Sequence, residues 1–115
     1  MKLDQFTIAV TNMKAMVAFY NAVFDAGLVA IPNSPFYAGK LRGFDLLFCP
    51  NDVAEVQAEK NRIQIRFTVE DIEAVIQRAE ANGGGAYGDR HDTEAEIGWS
   101  IHDPDGNSIE LRQVK

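Results

Sequence analysis

The sequence predicts an α+β fold built from two β-α-β-β-β modules, and three observations lead there. Apolar residues alternate with period two at Phe6, Ile8 and Val10 and again at Ile63, Ile65, Phe67 and Val69, the pattern of strands buried on one face. Each run is followed by an apolar stripe at helical spacing. In the first half it is Met13, Met16, Val17, Tyr20, Val23 and Phe24, and in the second Ile72, Val75, Ile76 and Ala79. A shift of 59 residues sets Gln5 on Gln64, Val10 on Val69, Asn12 on Asp71, Met13 on Ile72 and Ala15 on Ala74. A recurring pattern of this kind marks an internal repeat.

The elements follow in order. The first strand runs through Phe6, Ile8 and Val10, with Gln5, Thr7 and Ala9 on its other face. The first helix takes Thr11 or Asn12 as its N-cap and Gly27 as its stop. Residues 28–31 are a short apolar run, Pro32, Asn33, Ser34 and Pro35 make a turn, and residues 36–39 form a weak strand. Phe44, Leu46 and Phe48 alternate with Asp45 and Leu47 in a firmer strand. Residues 51–61 are polar and weakly patterned, with room for one helical turn. Module one is thus expected over about 1–52, a linker over about 53–61 and module two over about 62–115, all within one domain.

In module two, Asp71 caps the helix and Gly83 stops it. Ala86 and Tyr87 form a weak strand, and residues 89–96 a charged loop. Residues 97–102 and 108–113 form the closing hairpin. Between them, Pro104 presets the φ of a type I turn, Asp103 can accept backbone N–H groups across it, and Gly106 and Asn107 tolerate positive φ. Past the turn, Ile109 and Leu111 point one way and Glu110 the other.

Composition narrows the partners. The chain has 115 residues and a formal net charge of −6, which argues against nucleic acid and anionic membrane surfaces. No apolar run is long enough to span a bilayer. Cys49 is the only cysteine, so a reducing, cytoplasmic setting is expected; it reads as a packed thiol. His91 reads as a solvated loop residue and His102 as the maker of a structural hydrogen bond. Trp99 is either core or an aromatic wall, and its alternation with Ile97 and Ile101 favours core. The glycines of residues 83–88 fit a dinucleotide-binding spacing, but they follow a helix and open none, which excludes that role. Asp103 and Asp105 with Gly106 do not match a calcium loop, because Val114 stands where the bidentate glutamate belongs.

The chain resembles the vicinal oxygen chelate superfamily, which groups glyoxalase I, bleomycin-resistance proteins and extradiol dioxygenases. Three stretches carry the resemblance: Phe6-Thr7-Ile8-Ala9-Val10 followed by Phe19-Tyr20; Ile65-Arg66-Phe67-Thr68-Val69-Glu70-Asp71; and Asp103-Pro104-Asp105-Gly106-Asn107-Ser108-Ile109-Glu110-Leu111. The resemblance implies sheets curled into a cup with helices outside and a small-molecule ligand inside, commonly in a homodimer.

Alternation lists the candidate lining without the resemblance. If the apolar sets bury against the helices, then Gln5, Thr7, Ala9, Asp45, Leu47, Gln64, Arg66, Thr68, Ser108, Glu110 and Arg112 share the opposite faces. The expected ligand-binding residues are Gln5, Asp45, Leu47, Gln64, Arg66 and Glu110. Metal-dependent relatives place ligands at positions that match Gln5, the neighbourhood of Leu47, Gln64 and Glu110. Only Glu110 keeps a carboxylate there, so no cofactor is expected, and a divalent metal, if bound, would fall to Gln5, Gln64 and Glu110. Arg66 would grip an anionic ligand or pair with Glu110 or Asp45. Two functions follow as alternatives. One is a metal-free small-molecule binding protein of the glyoxalase/bleomycin-resistance type. The other is a metal-dependent lyase or isomerase of the glyoxalase I kind, with Glu110 as metal ligand or catalytic base.

Overall fold

The computed structural model describes residues 1–56 and 63–115. It divides the chain into two compact units, Met1–Gln57 and Ala58–Lys115. The expected linker positions from 57 to 61, and the expected module start at 62, lie outside the described residues.

The first unit contains β1 (Gln5–Val10), α1 (Met13–Phe24), β2 (Val29–Ala30), β3 (Tyr37–Leu41), β4 (Phe44–Pro50) and α2 (Asn51–Ala54). Its strands form one mixed sheet in the order β1-β4-β3-β2, with β1 parallel to β4 and the other pairs antiparallel. A parallel pair needs a long crossover, and α1 with β2 and β3 supplies it. The Asn12 side chain caps α1 by accepting from the Ala15 N–H at 3.2 Å. The helix ends earlier than expected. Asp25, not Gly27, takes the left-handed cap conformation, with φ 53°. Asn21 then pins the chain to Leu28, accepting from its N–H at 2.6 Å and donating to its carbonyl at 3.2 Å. The core holds Met16, Phe19, Tyr20, Val23 and Phe24 from the helix and Leu46 and Phe48 from β4. Tyr20 meets Phe48 edge-on, with centroids 5.1 Å apart. Phe44, expected in that set, is 38 % exposed at the strand's start, where its ring leans edge-on against Phe6.

The second unit repeats the topology. It contains β5 (Ile65–Thr68), α3 (Ile72–Ala81), β6 (Gly85–Asp92), β7 (Glu96–His102) and β8 (Ser108–Val114), in the sheet order β5-β8-β7-β6 with β5 parallel to β8. Asp71 caps α3 by accepting from the Ala74 N–H at 3.1 Å. Ile72, Val75, Ile76 and Ala79 are buried with Ile97, Ile101, Ile109 and Leu111. Ile63, expected in this core, is 78 % exposed and precedes the strand.

One expected loop is a strand. β6 runs to Asp92, through the residues read as a charged loop, and only Thr93–Ala95 turn back to β7. It is the edge strand and is exposed beyond Ala86, so no apolar alternation advertises it. Its register with β7 shifts between Tyr87 and His91, a bulge. Gly88, at φ 73°, provides the left-handed conformation there. The Trp99 indole N–H ties the bulge down by donating to the Gly88 carbonyl at 3.1 Å.

A candidate ligand-binding face on the second sheet

The β7–β8 hairpin is organised by its turn. Asp103 is fully buried. Its carboxylate accepts from the backbone N–H groups of Asp105 at 3.0 Å and Asn107 at 2.9 Å, and from the Asn107 side-chain amide at 2.8 Å. The Asp103 N–H closes the turn on the Asn107 carbonyl at 2.9 Å. His102 makes the local bond expected of it, with Nδ1 3.1 Å from the Asp103 carbonyl oxygen. This scaffold fixes the register in which His102 opposes Ser108 and Ser100 opposes Glu110.

Register then sets the polar face. One row across the sheet reads Arg66, Glu110, Ser100, Tyr87, and the next reads Thr68, Arg112, Gly98, His91. Residues paired across neighbouring strands share a face, at about 4.8 Å per strand. In the second row, Arg112 Nη2 donates to Thr68 Oγ1 at 3.2 Å and Nε lies 3.5 Å from Glu96 Oε2. Gln64 donates to Ser108 Oγ at 2.9 Å. The side chains of Arg66 and Glu110 have no hydrogen-bond or ion-pair partner among the described residues, so the expected Arg66–Glu110 pair is not formed. In the first sheet, Gln5 pairs with Asp45 and Thr7 with Leu47 in register, which puts the expected Gln5, Asp45 and Leu47 on one face. There Asp45 is engaged by Lys40, and Gln5 donates to Thr7 Oγ1 at 3.1 Å.

Around Glu110 lies an open hollow of about 350 Å³. Glu110 of β8 stands on one side, Tyr87, Asp89 and His91 of β6 on the other, and Ser100 and Gly98 of the intervening β7 form the floor between them. Glu96, Thr93, Gly88 and Trp99 complete the lining. Of the expected ligand-binding residues, only Glu110 borders this hollow. Sequence reasoning passed over the β6 contributors because it ended that strand at Tyr87, and the exposed residues beyond it carry no apolar alternation that could have extended it. Trp99 keeps the expected parity with Ile97 and Ile101 but is only half-buried. The Arg90 guanidinium lies 5.9 Å from its ring centroid, and Arg90 also pairs with Glu73 of α3. Cys49 is buried, as expected of a packed thiol. Among the described residues no three His, Cys, Asp or Glu side chains gather into a metal-sized group, and no helix is long and apolar enough to cross a membrane.

Residues 5–112 match the family model described as a glyoxalase-like domain. The chain belongs to the glyoxalase-like family. That family sits within the vicinal oxygen chelate superfamily, and the match reaches every strand and helix described above, ending within β8. The glyoxalase-like domain is similar to a glyoxalase/bleomycin resistance protein/dioxygenase family enzyme from Burkholderia phytofirmans PsJN. That likeness has 19 % identity, a TM-score of 0.82 and full coverage of both chains. It is similar to the fosfomycin resistance protein FosX from Listeria monocytogenes, with 18 % identity and a TM-score of 0.80 over 100 % of this chain and 94 % of that one. It is also similar to TnmS3, an antibiotic binding protein from Streptomyces sp. CB03234, with 17 % identity and a TM-score of 0.71 over 100 % and 97 %. At these identities the likeness establishes the fold. A search of curated proteins finds no match to this chain.

Proposed function

We propose that this glyoxalase-like domain binds a small organic molecule against the polar face of its second sheet and does so without a catalytic metal. The observation that carries this reading is Glu110, a carboxylate with no partner among the described residues, at the edge of a hollow of about 350 Å³. That volume lies within the range of small-molecule sites. Solved structures of the same fold include an antibiotic binding protein and a fosfomycin resistance protein, which supports a small-molecule role.

Donor chemistry supports the absence of a metal. The positions that match the superfamily's ligands hold Gln5, Leu47, Gln64 and Glu110. Two neutral amides and one carboxylate suit Zn²⁺ or Fe²⁺ poorly, since these ions favour imidazole, thiolate or several anionic oxygens. The second reading, a metal-dependent lyase or isomerase of the glyoxalase I kind, draws on the same free carboxylate as ligand or base.

A thermal-shift screen of small organic molecules, followed by titration of the hits against Glu110→Gln, tests the proposal. We expect hits whose affinity falls in the variant. Stoichiometric divalent metal in the purified protein, with an activity abolished by its removal, would overturn the metal-free reading in favour of the enzyme. The assembly proposed with it is the homodimer common in the superfamily, which light scattering on the eluting protein checks.

A further inference from the structure

Gly98 sits in the middle of β7, where glycine weakens a strand. Strand glycines usually have a structural reason; here the bulge opposite Gly98 is carried by β6 and its own Gly88, and two further reasons, positive φ and crowding, do not apply. Gly98 is not among the positive-φ glycines. A Cβ added to it would meet no atom of the described residues within 4 Å, so neither crowding nor a neighbouring backbone among them demands its small size. Gly39 in β3 is the contrast: a Cβ there would come 2.4 Å from the Ala26 carbonyl oxygen. What the missing side chain at Gly98 does leave is a bare patch of backbone at the floor of the hollow, between His91 and Arg112 in register and one row from Glu110 and Ser100.

We infer that Gly98 is the specificity determinant of this site, admitting a flat ring that lies on the β7 backbone with an amino substituent directed to Glu110. The inference rests on the reading of the hollow as a ligand site and adds the ligand's class, a planar amino-substituted ring. Close approach of a ligand to backbone is the physical use of such a glycine that an adjoining hollow offers. The charges fit the class. Among the described residues no lysine or arginine lines the hollow, nearby Arg112 pairs with Glu96 and donates to Thr68, and the carboxylates of Glu110 and Asp89 remain as acceptors for N–H donors.

Trp99 is the only tryptophan and borders the hollow, so its fluorescence reports binding. The full chain is titrated with proflavine, a planar diamino ring cation, and with a planar aromatic sulfonate of similar size. We expect saturable quenching by proflavine, weaker binding of the sulfonate, and at least about tenfold weaker proflavine binding in Gly98→Leu, whose side chain fills the floor. Circular dichroism confirms that the variant is folded, and Gly98→Val, better suited to a strand, gives the same reading should leucine disturb the sheet. Equal proflavine affinity in wild type and both variants would overturn the inference. If Glu110→Gln still weakened binding in that case, the ligand site would stand and only the role of Gly98 would fall. Absence of saturable quenching in the wild type also overturns the inference, and the unbiased screen then judges the site alone. Sulfonate binding as tight as proflavine rejects the amino-ring class.

Discussion

Two strand glycines and one aspartate show how single residues divide between holding the fold and shaping the site. Gly39 is structural: an alanine Cβ would press to 2.4 Å of the Ala26 carbonyl oxygen and 3.0 Å of the Leu28 N–H nitrogen, both backbone atoms that cannot turn away. We expect Gly39→Ala to lose about 1–3 kcal/mol of unfolding free energy by chemical denaturation. Gly98 has open space at the same point, so Gly98→Ala is expected to gain about 0.5–1 kcal/mol in the same measurement. The opposite signs separate a glycine that packing requires from one that packing does not. Asp103 belongs with Gly39. Its removal strands two backbone N–H groups and an amide inside the turn, and we expect Asp103→Ala to destabilise by about 3 kcal/mol. The role of Asp103 was legible in the sequence, because an aspartate before Pro-Asp-Gly-Asn is a turn with a mechanism. The role of Gly98 was not, because a glycine in a strand looks the same in sequence whether a backbone, a bulge or a ligand faces it.

At the scale of elements, legibility followed burial. α1, α3, β1, β4 and β8 bury one face each, and apolar periodicity announced them. β6 buries almost nothing beyond its first residues. It is a strand because its backbone pairs with β7, and backbone pairing leaves no trace in side-chain hydropathy. Half of the hollow's rim was lost to the sequence reading for that reason. The bulge in β6 lies beside Asp89, which borders the hollow, and is fastened by the Trp99–Gly88 hydrogen bond. Trp99→Phe keeps the ring packing and deletes the donor. We expect it to cost about 1 kcal/mol and, by amide hydrogen exchange, to loosen the amides around Gly88 while those of β8 keep their protection. Equal loosening in β8 would show that the indole N–H supports the whole sheet rather than the bulge.

Each unit of the molecule is a mixed four-stranded sheet of the same strand order, and the family match spans both. The fold came through in sequence because topology is repeated and each copy carries its own apolar pattern. The chemistry of the polar faces did not come through as readily, because a polar alternate in a strand reads the same whether it meets solvent, an ion pair or a ligand. Asp45 illustrates this: its place in the alternation is the same with or without a ligand, and in the structure it pairs with Lys40. The consequence that matters for the whole chain is its relation to metals. A ligand that binds only the folded state stabilises it by RT ln(1 + [L]/Kd), or about 2.7 kcal/mol at a hundredfold excess over Kd, which in a domain this size raises the melting temperature by roughly 10 °C. A tight divalent site would therefore declare itself in a melt. With Gln5, Leu47 and Gln64 in place of imidazole and carboxylate donors, we expect chelator-treated protein and protein in excess Zn²⁺, Mn²⁺ or Ni²⁺ to melt within about 1 °C of each other. The double variant Gln5→His, Gln64→His supplies the missing imidazoles. A metal-dependent rise in that variant alone would show that the fold can host the site and that this chain's own residues are what withhold it. A rise in the unaltered protein would return Glu110 to the role of metal ligand.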